Sequence, residues 1–453
     1  MDRTSGERRL ATESRSAADT ESTDLVSRSR EVGDVSFGSI VGAADESRTL
    51  WATPDGLEIA GRGVAARFTA SGPDRFARVR TQADRAFDAL DHDGPDLARP
   101  RAFGGVSFHD GHEPSPPWTG FDAASFVVPR VLVTRSDETD GTWITAVGNG
   151  AADADDRLEQ WTDRVADGPA MQSSGSGPGV VSTRRTTSRA NWADQIDAAL
   201  TRIEDGHLAK VVLAQTLSVD LEDSIDVSAI LERLRRQYPN CYRFLVGHGV
   251  GGTFFGAPPE QLVSKRGERV ETEALAGSAP RGETPETDDE HVERMLADDK
   301  LKREHELVVE AIREQLGPFA RNLTVTDRTI RKLATIQHLL TPITATLADD
   351  RHVLELVEAL HPTPAVGGVP PAAAWETIRE AETFDRGWYA APIGWFDGDG
   401  DGEFAVGLRS GIAADETVTL FAGNGIVADS DPDEEWEEVQ LKFRPILDEL
   451  RDR

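Results

Sequence analysis

The segment Gly206-His-Leu-Ala-Lys-Val-Val-Leu-Ala-Gln215 places a lysine directly before three consecutive apolar residues. Such a run is typical of a buried strand, in which a charged amine without compensation is costly. Only six of the 49 basic residues are lysine, so Lys210 stands where this chain ordinarily has arginine. Arginine cannot act as a base, whereas a lysine in a dry pocket or near another cation can. Taken alone, the segment is more typical of a strand-edge lysine whose amine reaches solvent.

The apolar pattern around this strand predicts both helices and strands. Between Val35 and Asp167, short apolar runs separated by Gly, Pro and Asp indicate strands. Later in the chain, the pattern predicts helices over 191–205, 227–237, 288–316 and 434–450, and strands over 208–219, 242–248, 252–256, 388–395, 404–412 and 417–422. Because helices and strands do not alternate regularly, the predicted fold class is α+β rather than a doubly wound sheet.

Composition divides the chain into four predicted regions. Residues 1–30 are rich in Arg, Ser, Thr, Asp and Glu, which indicates a disordered acidic and polar tail. Residues 31–167 form the β-rich N-terminal region. Residues 168–189 consist mainly of Ser, Gly, Thr and Arg with little to bury, which is typical of a flexible connection. Residues 190–453 form the fourth region, which contains the candidate functional residues.

The charge balance limits the partners of this protein. The chain has 80 acidic and 49 basic residues and a formal charge of -31, which would repel nucleic acid and anionic membranes. The acidic residues are spread along the whole chain, and we hypothesise a halophilic cytoplasm in which salt screens them. No apolar run has membrane-spanning length or the form of a signal peptide, and the single cysteine, Cys241, excludes an internal disulfide framework. We therefore expect a cytoplasmic protein.

Glu260 is a candidate general acid. It follows the turn Gly256-Ala-Pro-Pro, in which the prolines restrict the backbone. The position from which the Glu260 side chain extends is therefore restricted as well. A carboxylic acid held in this way can donate a proton to a leaving group. The alternative is an ordinary carboxylate at the start of a helix.

Two predicted helices carry candidate metal ligands. Glu304 lies in the helix that ends near Leu316, and Glu438 lies in the closing helix, four residues before Lys442. Carboxylates from two helices suit magnesium, which prefers oxygen ligands, although a solvated acidic face with an ion pair four residues apart is the alternative. Gly423, in Phe421-Ala-Gly-Asn-Gly-Ile426, follows a strand and either presents backbone N–H groups to an anion or forms a turn.

Seven segments, found in the same order, resemble those of the chorismate-utilising enzymes. This family includes isochorismate synthase, salicylate synthase, anthranilate synthase component I and aminodeoxychorismate synthase component I. The resemblance spans roughly 192–450 and rests on Lys-Val-Val-Leu-Ala at 210–214, Phe-Gly-Ala-Pro-Pro-Glu at 255–260, Thr-Glu-Ala-Leu-Ala-Gly-Ser at 272–278, Glu-His-Glu-Leu-Val at 304–308, Ile-Gln-His-Leu at 336–339, His-Pro-Thr-Pro-Ala at 361–365 and Ala-Gly-Asn-Gly-Ile-Val at 422–427. It implies large, mostly antiparallel sheets packed as a sandwich with helices on the outside.

The resemblance also implies a role for each matching residue. Lys210 would be the base that activates water, Glu260 the acid that protonates the departing hydroxyl, and Glu304 and Glu438 the ligands of Mg²⁺. The residues implied to contact chorismate are Gly277, Ser278, Ala365, Arg409, Gly423 and Lys442. The chain departs from the family in Ala-Pro-Pro-Glu, where Ser-Pro-Glu is usual, and in Gly-Asn-Gly, where Gly-Ala-Gly is usual. Neither departure removes a side chain with an implied role.

Two residues favour one member of the family. Relatives that use ammonia have glutamine at the position of Lys210, so lysine implies water as the nucleophile. Salicylate synthases tend to have threonine at the position of Ala365, so alanine implies that isochorismate is released. The resemblance thus implies an isochorismate synthase for menaquinone synthesis, acting as a monomer or weak homo-oligomer. Salicylate synthase, anthranilate synthase component I and a catalytically silent chorismate-binding subunit remain as alternatives.

Overall fold

The computed structural model describes residues 25–33, 35–42, 46–137, 139, 141–166, 176–249, 251–333 and 336–451. Its strands begin with β1 (Leu25–Val32), β2 (Ser47–Ala52), β3 (Glu58–Arg62), β4 (Ala66–Ala70), β5 (Asp91–Asp93), β6 (Ala102–Val106), β7 (Ala124–Val128), β8 (Val131–Arg135), β9 (Thr142–Asn149), β10 (Val180–Arg185), β11 (Lys210–Leu221) and β12 (Arg243–His248). They continue with β13 (Thr253–Gly256), β14 (Gln261–Arg266), β15 (Arg269–Pro280), β16 (Ala320–Val325), β17 (Thr329–Lys332), β18 (Ile336–Leu347), β19 (Gly368–Val369), β20 (Pro392–Phe396), β21 (Gly402–Val406), β22 (Ser410–Ala414) and β23 (Thr417–Ile426). The helices are α1 (Phe37–Val41), α2 (Arg75–Asp88), α3 (Ala151–Ala166), α4 (Arg189–Glu204), α5 (Val227–Gln237), α6 (Pro285–Ala297), α7 (Asp299–Leu316), α8 (Val353–Leu360), α9 (Pro371–Ala381) and α10 (Pro432–Leu450).

These strands form two large sheets. The described part of the chain has a 13-stranded sheet in the order β10-β11-β23-β22-β13-β12-β2-β3-β8-β9-β1-β5, with β19 paired to β11. It also has a 10-stranded sheet in the order β16-β18-β15-β14-β21-β20-β6-β7-β4, with β17 paired to β18. Neighbouring strands are mostly antiparallel, as in β11–β23 and β15–β18, whereas β1 and β5 are parallel. The predicted α+β class with large, mostly antiparallel sheets is confirmed.

The hydrophobic core joins the two sheets. One buried cluster contains Leu213, Phe244 and Phe254 from the first sheet together with Phe126, Val263 and Ile393 from the second. Helix α10 packs on β23 of the first sheet, and α7 packs on β15 of the second. Each of these helices places one end of its sequence beside the gap between the sheets, where the candidate residues meet. No helix in the described ranges is long and apolar enough to cross a membrane.

Helix α5 shows how closely local sequence determines an element. The Asp226 side chain accepts a hydrogen bond from the Ala229 N–H and so caps the first turn. Val227, Ile230, Leu231 and Leu234 are buried at helical spacing. The predicted helix over 227–237 is confirmed at both ends.

Both sheets contain strands from the N-terminal and the C-terminal regions. Strand β2 pairs with β12, so that Phe244 lies opposite Trp51, and β6 pairs with β20, so that Trp395 lies opposite Phe103. The predicted boundary near residues 168–189 therefore does not separate one sheet from the other. The N-terminal region completes both sheets and also forms a smaller core cluster of its own, which includes Ile40, Val133 and Ile144.

Two segments predicted without regular structure contain strands. Leu25–Val32 forms β1, although residues up to 30 were predicted as a disordered tail, and residues 1–24 of that prediction lie outside the described residues. Val180–Arg185 forms β10 within the predicted flexible connection, of which residues 168–175 lie outside the described part. Strand β10 is an edge strand with mostly exposed side chains, so its main-chain bonds to β11 leave no apolar pattern in the sequence.

Two other predicted elements are divided in the structure. The helix predicted over 288–316 is two helices, because Asp298 adopts an extended backbone and its carboxylate accepts a hydrogen bond from the Leu301 N–H at the start of α7. The strand predicted over 404–412 is also two, β21 in the second sheet and β22 in the first. The chain crosses between the sheets at Gly407, Leu408 and Arg409.

Candidate active site

All ten residues predicted to act in the site line one cavity of about 950 Å³. They are Lys210, Glu260, Gly277, Ser278, Glu304, Ala365, Arg409, Gly423, Glu438 and Lys442. They come from both sheets, from α7 and α10, and from three connecting segments. The volume is within the range of small-molecule sites. Segments that are far apart in sequence therefore form one continuous wall.

Lys210 is buried and ion-paired. It is the first residue of β11, and its side chain is only 2% exposed. Its Nζ donates a hydrogen bond to Oε1 of Glu304 on α7 over 2.8 Å. The interior position predicted from the apolar run is thus accompanied by a counter-charge, as burial of an ammonium group requires. The alternative of a solvent-reaching lysine does not hold, because the amine points into the cavity wall.

Gly425 makes this ion pair sterically possible, although only Gly423 was predicted from the same segment. A Cβ atom added to Gly425 would stand 2.7 Å from Cε and 3.2 Å from Nζ of Lys210, and 3.4 Å from Oε1 of Glu304. Alternate residues of a strand face the same side, so the spacing of Gly423 and Gly425 was the available signal. The intervening Asn424 faces away and donates hydrogen bonds to Glu435 of α10.

Glu260 is buried as well, but its carboxyl group has no ion-pair partner among the described residues. It follows Pro259 in the turn before β14 and is 4% exposed, and its backbone oxygen accepts a hydrogen bond from the Val406 N–H. Burial and the nearby Glu273 carboxylate raise the pKa of Glu260 to about 8, although Lys210 and Arg331 act in the opposite direction. At pH 7 this carboxyl group is therefore mostly protonated. A buried, protonated carboxyl is suited to donate a proton.

Gly277 and Ser278 occupy an irregularity in β15. The pairing with β18 shifts between Ala276 and Ser278, and Gly277 has a φ of 77°, which favours glycine. The bulge lies beside Ser278, whose Oγ is 3.0 Å from Nδ1 of His338. Burial, Arg409 and Lys442 lower the pKa of His338 well below its usual value, so the imidazole is neutral at pH 7. His338 also lines the cavity and was not predicted as a site residue.

Arg409 carries a charge that the protein leaves available. It is at the crossing between the sheets and has a φ of 45°, an uncommon conformation for a residue with a side chain. Its guanidinium lies over the Tyr238 ring at 5.6 Å and near the Cys241 sulfur. Within the described ranges it forms no ion pair with a carboxylate. The cavity therefore offers this arginine to an anionic ligand.

Helix α10 supplies an acidic wall. Lys442 Nζ lies 2.9 Å from a Glu438 carboxylate oxygen and donates a hydrogen bond to the Gly423 carbonyl, also at 2.9 Å. Beside it, burial and Glu438 raise the pKa of Glu435, which was not among the predicted residues. Among the described residues, the acidic side chains that line the cavity are Glu260, Asp298, Glu304, Asp433, Glu434, Glu435, Glu437 and Glu438, and the lysines and arginines are Arg189, Lys210, Arg294, Arg409 and Lys442. The cavity lining therefore has more carboxylates than lysines and arginines.

A second buried ion pair supports the strand that carries Lys210. Glu382 and Arg386 form this pair, with side chains only 4% and 2% exposed. Glu382 accepts a hydrogen bond from the Ala214 N–H, and Arg386 donates to the carbonyl oxygens of Val212 and Val366. The pair thus connects β11 to the segment next to Ala365.

Comparison with known proteins gives one family over nearly the whole chain. A family model described as chorismate binding enzyme matches residues 11–451. The salicylate biosynthesis isochorismate synthase of Pseudomonas aeruginosa is 36% identical over 440 residues, which cover 94% of this chain and 90% of that protein. Isochorismate synthase MenF of Bacillus subtilis is 34% identical over 417 residues, or 89% and 88% of the two chains. The structure of MenF, the menaquinone-specific isochorismate synthase from Escherichia coli, matches with a TM-score of 0.79 at 25% identity, covering 94% and 95%.

Replacing Gly425 with alanine tests the contact around Lys210. The added methyl group must displace the Lys210 side chain, because its carbon would stand 2.7 Å from Cε and 3.2 Å from Nζ, whereas its distance of 3.4 Å from Glu304 Oε1 is an ordinary contact. We expect chorismate turnover by Gly425→Ala to fall by about 10- to 100-fold, since small displacements of reacting groups are costly. Gly317→Ala is the matched control, because nothing lies within 4 Å of a Cβ at that position. Parent-like turnover in a folded Gly425→Ala variant would show that the close approach is not required.

Proposed function

We propose that this chain, which belongs to the chorismate binding enzyme family, is an isochorismate synthase that converts chorismate to isochorismate. The reaction is an isomerisation by allylic displacement: water forms a bond to C2, the ring double bonds shift along the ring, and the C–O bond at C4 breaks as the hydroxyl group leaves. The observation that carries the proposal is that a buried amine, Lys210, and a protonated carboxyl, Glu260, line the same cavity. They are the base and the acid that such a displacement requires.

Lys210 is the proposed base for the attacking water. The neutral amine accepts a proton from water as the oxygen attacks C2, and the resulting ammonium is stabilised by the Glu304 carboxylate that lies 2.8 Å away. The amine is held at the first residue of β11 and cannot turn away into solvent. Positioning of this kind reduces the cost of bringing water and base together.

Glu260 is the proposed acid for the leaving group. It gives its proton to the C4 hydroxyl oxygen, which departs as water, and solvent later restores the proton. Because its pKa is about 8, the acid form is present at neutral pH without a separate activation step. Lys210 begins a strand of the first sheet and Glu260 precedes a strand of the second, which supports action on opposite faces of the ring.

The carboxylates of the cavity fit magnesium as the cofactor. Within the described residues no group of three or more His, Cys, Asp or Glu side chains is placed to hold a metal ion without other ligands. Glu304 and Glu438 alone would leave the remaining positions to water and substrate oxygens, as is usual for Mg²⁺. Glu304 and Glu438 would hold the ion, which would supply positive charge to offset the negative charge of the substrate.

The remaining contacts are proposed to bind the substrate. Chorismate carries two carboxylates, and the acidic wall would repel it unless cations intervene. Arg409, Lys442 and the metal ion supply those cations. Ser278 and the backbone near Gly277 and Gly423 add polar groups, and Ala365 leaves space where a hydroxyl-bearing side chain would stand.

The proposed setting of the enzyme follows from its relatives and its charge. We infer a role in menaquinone synthesis, because the Escherichia coli structure that matches 94% of the chain is menaquinone-specific. The enzyme would act on chorismate in the cytoplasm as a monomer or weak homo-oligomer, without nucleic acid or membrane partners. The charge of -31 supports a halophilic source.

Product analysis tests the reaction. Purified protein, chorismate and Mg²⁺ are expected to yield isochorismate without pyruvate, because water is the nucleophile and no lyase step follows. Chromatography identifies the ring product, and a coupled assay measures pyruvate. Salicylate with equimolar pyruvate would indicate a salicylate synthase, and a requirement for ammonia would indicate an anthranilate synthase.

Variants of the two proposed catalytic residues test their roles. We expect Lys210→Ala and Glu260→Gln each to lower kcat by about 10²- to 10⁴-fold, the usual contribution of acid or base catalysis. In the parent enzyme, kcat/KM should fall as the pH rises through about 8, because deprotonated Glu260 cannot donate. Lys302→Ala, at a partly exposed lysine of α7 that pairs with Asp299 and does not line the cavity, is the control. Unchanged turnover in both variants would refute the assignment.

Salt dependence tests the halophilic setting. Screening of the mutual repulsion between carboxylates should keep the chain compact and active in molar KCl, where the Debye length is about 3 Å, and both properties should decline near 0.01 M. Light scattering and turnover measure them. Sucrose at matched osmolality is the control, because it does not screen charge. A protein that is equally compact and active at both salt concentrations would contradict the hypothesis.

A further inference from the structure

We propose that Glu273 and Arg331 are positioning residues that hold the backbone on both sides of Glu260 and so aim its carboxyl at the leaving group. The proposal rests on the role of Glu260 as the acid in the proposed function. Neither residue was among the predicted site residues, and neither lines the cavity. They act through the main chain rather than by touching the substrate.

The two side chains form one continuous clamp. Glu273 lies on β15, and Arg331 lies on the short strand β17. Arg331 forms a two-pronged ion pair with Glu273, in which Nη2 lies 2.7 Å from Oε2 and Nη1 also contacts Oε1. The same Nη1 donates a hydrogen bond to the Pro259 carbonyl at 2.7 Å, and Glu273 Oε1 accepts one from the Gln261 N–H at 3.1 Å. The peptide groups before and after Glu260 are therefore both held by the pair.

Glu260 depends on its backbone for its position. In the part of the chain that the structure describes, no hydrogen bond reaches the Glu260 carboxyl group, although the side chain is buried. Its own carbonyl accepts a bond from Val406, so three successive residues have a main-chain group held: Pro259, Glu260 and Gln261. A small shift of this turn would move the acid directly, because no hydrogen bond among the described residues fixes its carboxyl group.

The two charges of the clamp act on the pKa of Glu260 in opposite directions. The negative charge of Glu273 raises the pKa of Glu260, and the positive charges of Lys210 and Arg331 lower it. Because Glu273 and Arg331 are paired, their opposite effects on the acid partly cancel. Removing one charge would leave the other uncompensated. The two partners should therefore affect proton donation in opposite directions, while both support its geometry.

Three variants separate geometry from charge. Glu273→Gln and Arg331→Met each break the clamp, and we expect each to lower kcat by about tenfold or more with little change in KM. The basic limb of the pH profile, which is the fall of kcat/KM at high pH, should move to lower pH in Glu273→Gln and to higher pH in Arg331→Met. Arg331→Lys keeps the charge but cannot hold both acceptors as the planar guanidinium does, so kcat should fall while the limb stays in place.

A matched control and an independent structural measurement complete the experiment. Glu271→Gln removes a carboxylate two residues earlier in the same strand, where it pairs with the exposed Arg269, and should leave kcat and the pH profile unchanged. Hydrogen exchange should show faster exchange of the Gln261 amide in Glu273→Gln but not in Glu271→Gln. This exchange rate does not depend on turnover. If Glu273→Gln does not fold, the conservative Arg331→Lys variant tests the clamp in its place.

The Glu260→Gln variant separates failure of this inference from failure of the proposed function. If Glu260→Gln loses turnover while all three clamp variants match the parent in kcat and pH profile, the clamp is refuted and the acid assignment stands. If Glu260→Gln retains turnover, the acid assignment fails and the clamp has no acid to position. A third outcome would also overturn the proposal: kcat falls, but the basic limb shifts in the same direction in Glu273→Gln and Arg331→Met or does not shift in either. That result would show that the two residues have only a general structural role.

Discussion

The buried ion pair between Lys210 and Glu304 is the constraint on which the rest of the site depends. An ammonium group in the interior is tolerated only when a counter-charge lies in hydrogen-bonding range. Here the counter-charge comes from another layer of the structure, because β11 belongs to the first sheet while α7 packs on the second. The sheets must therefore meet with the helix in a fixed position, and β23 must pass beside the ion pair without a side chain at Gly425.

The two proposed catalytic groups of the cavity have different partners. Lys210 donates a hydrogen bond to the Glu304 carboxylate over 2.8 Å, whereas burial and the Glu273 carboxylate raise the pKa of Glu260. A carboxyl group that its surroundings keep protonated, together with a separate basic group, is a usual basis of acid–base catalysis near neutral pH. The fold achieves this separation by taking the two residues from different sheets.

The excess of carboxylates in the cavity has the same sign as the charge of the chain and of the proposed substrate. Helix α10 presents Glu434, Glu435, Glu437 and Glu438, while Arg409 and Lys442 supply positive charge to the cavity. Such an arrangement favours an added cation, and its carboxylate oxygens are the ligands that magnesium prefers. The same excess of negative charge therefore underlies both the proposed need for a cation in the cavity and the proposed dependence on salt.

The sequence by itself determined the class of fold, several elements and ten of the residues that line the cavity, because apolar spacing and ordered local motifs are properties of short segments. Helix α5 was predicted at both ends, and all ten proposed residues line one cavity. Only the tertiary structure decided what depends on distant partners: the edge strand β10, the crossing that places Arg409, the close approach of Gly425, and the clamp between residues 58 positions apart. Main-chain pairing and steric contact between distant segments leave no periodic pattern in the sequence, so folding alone brings these groups together.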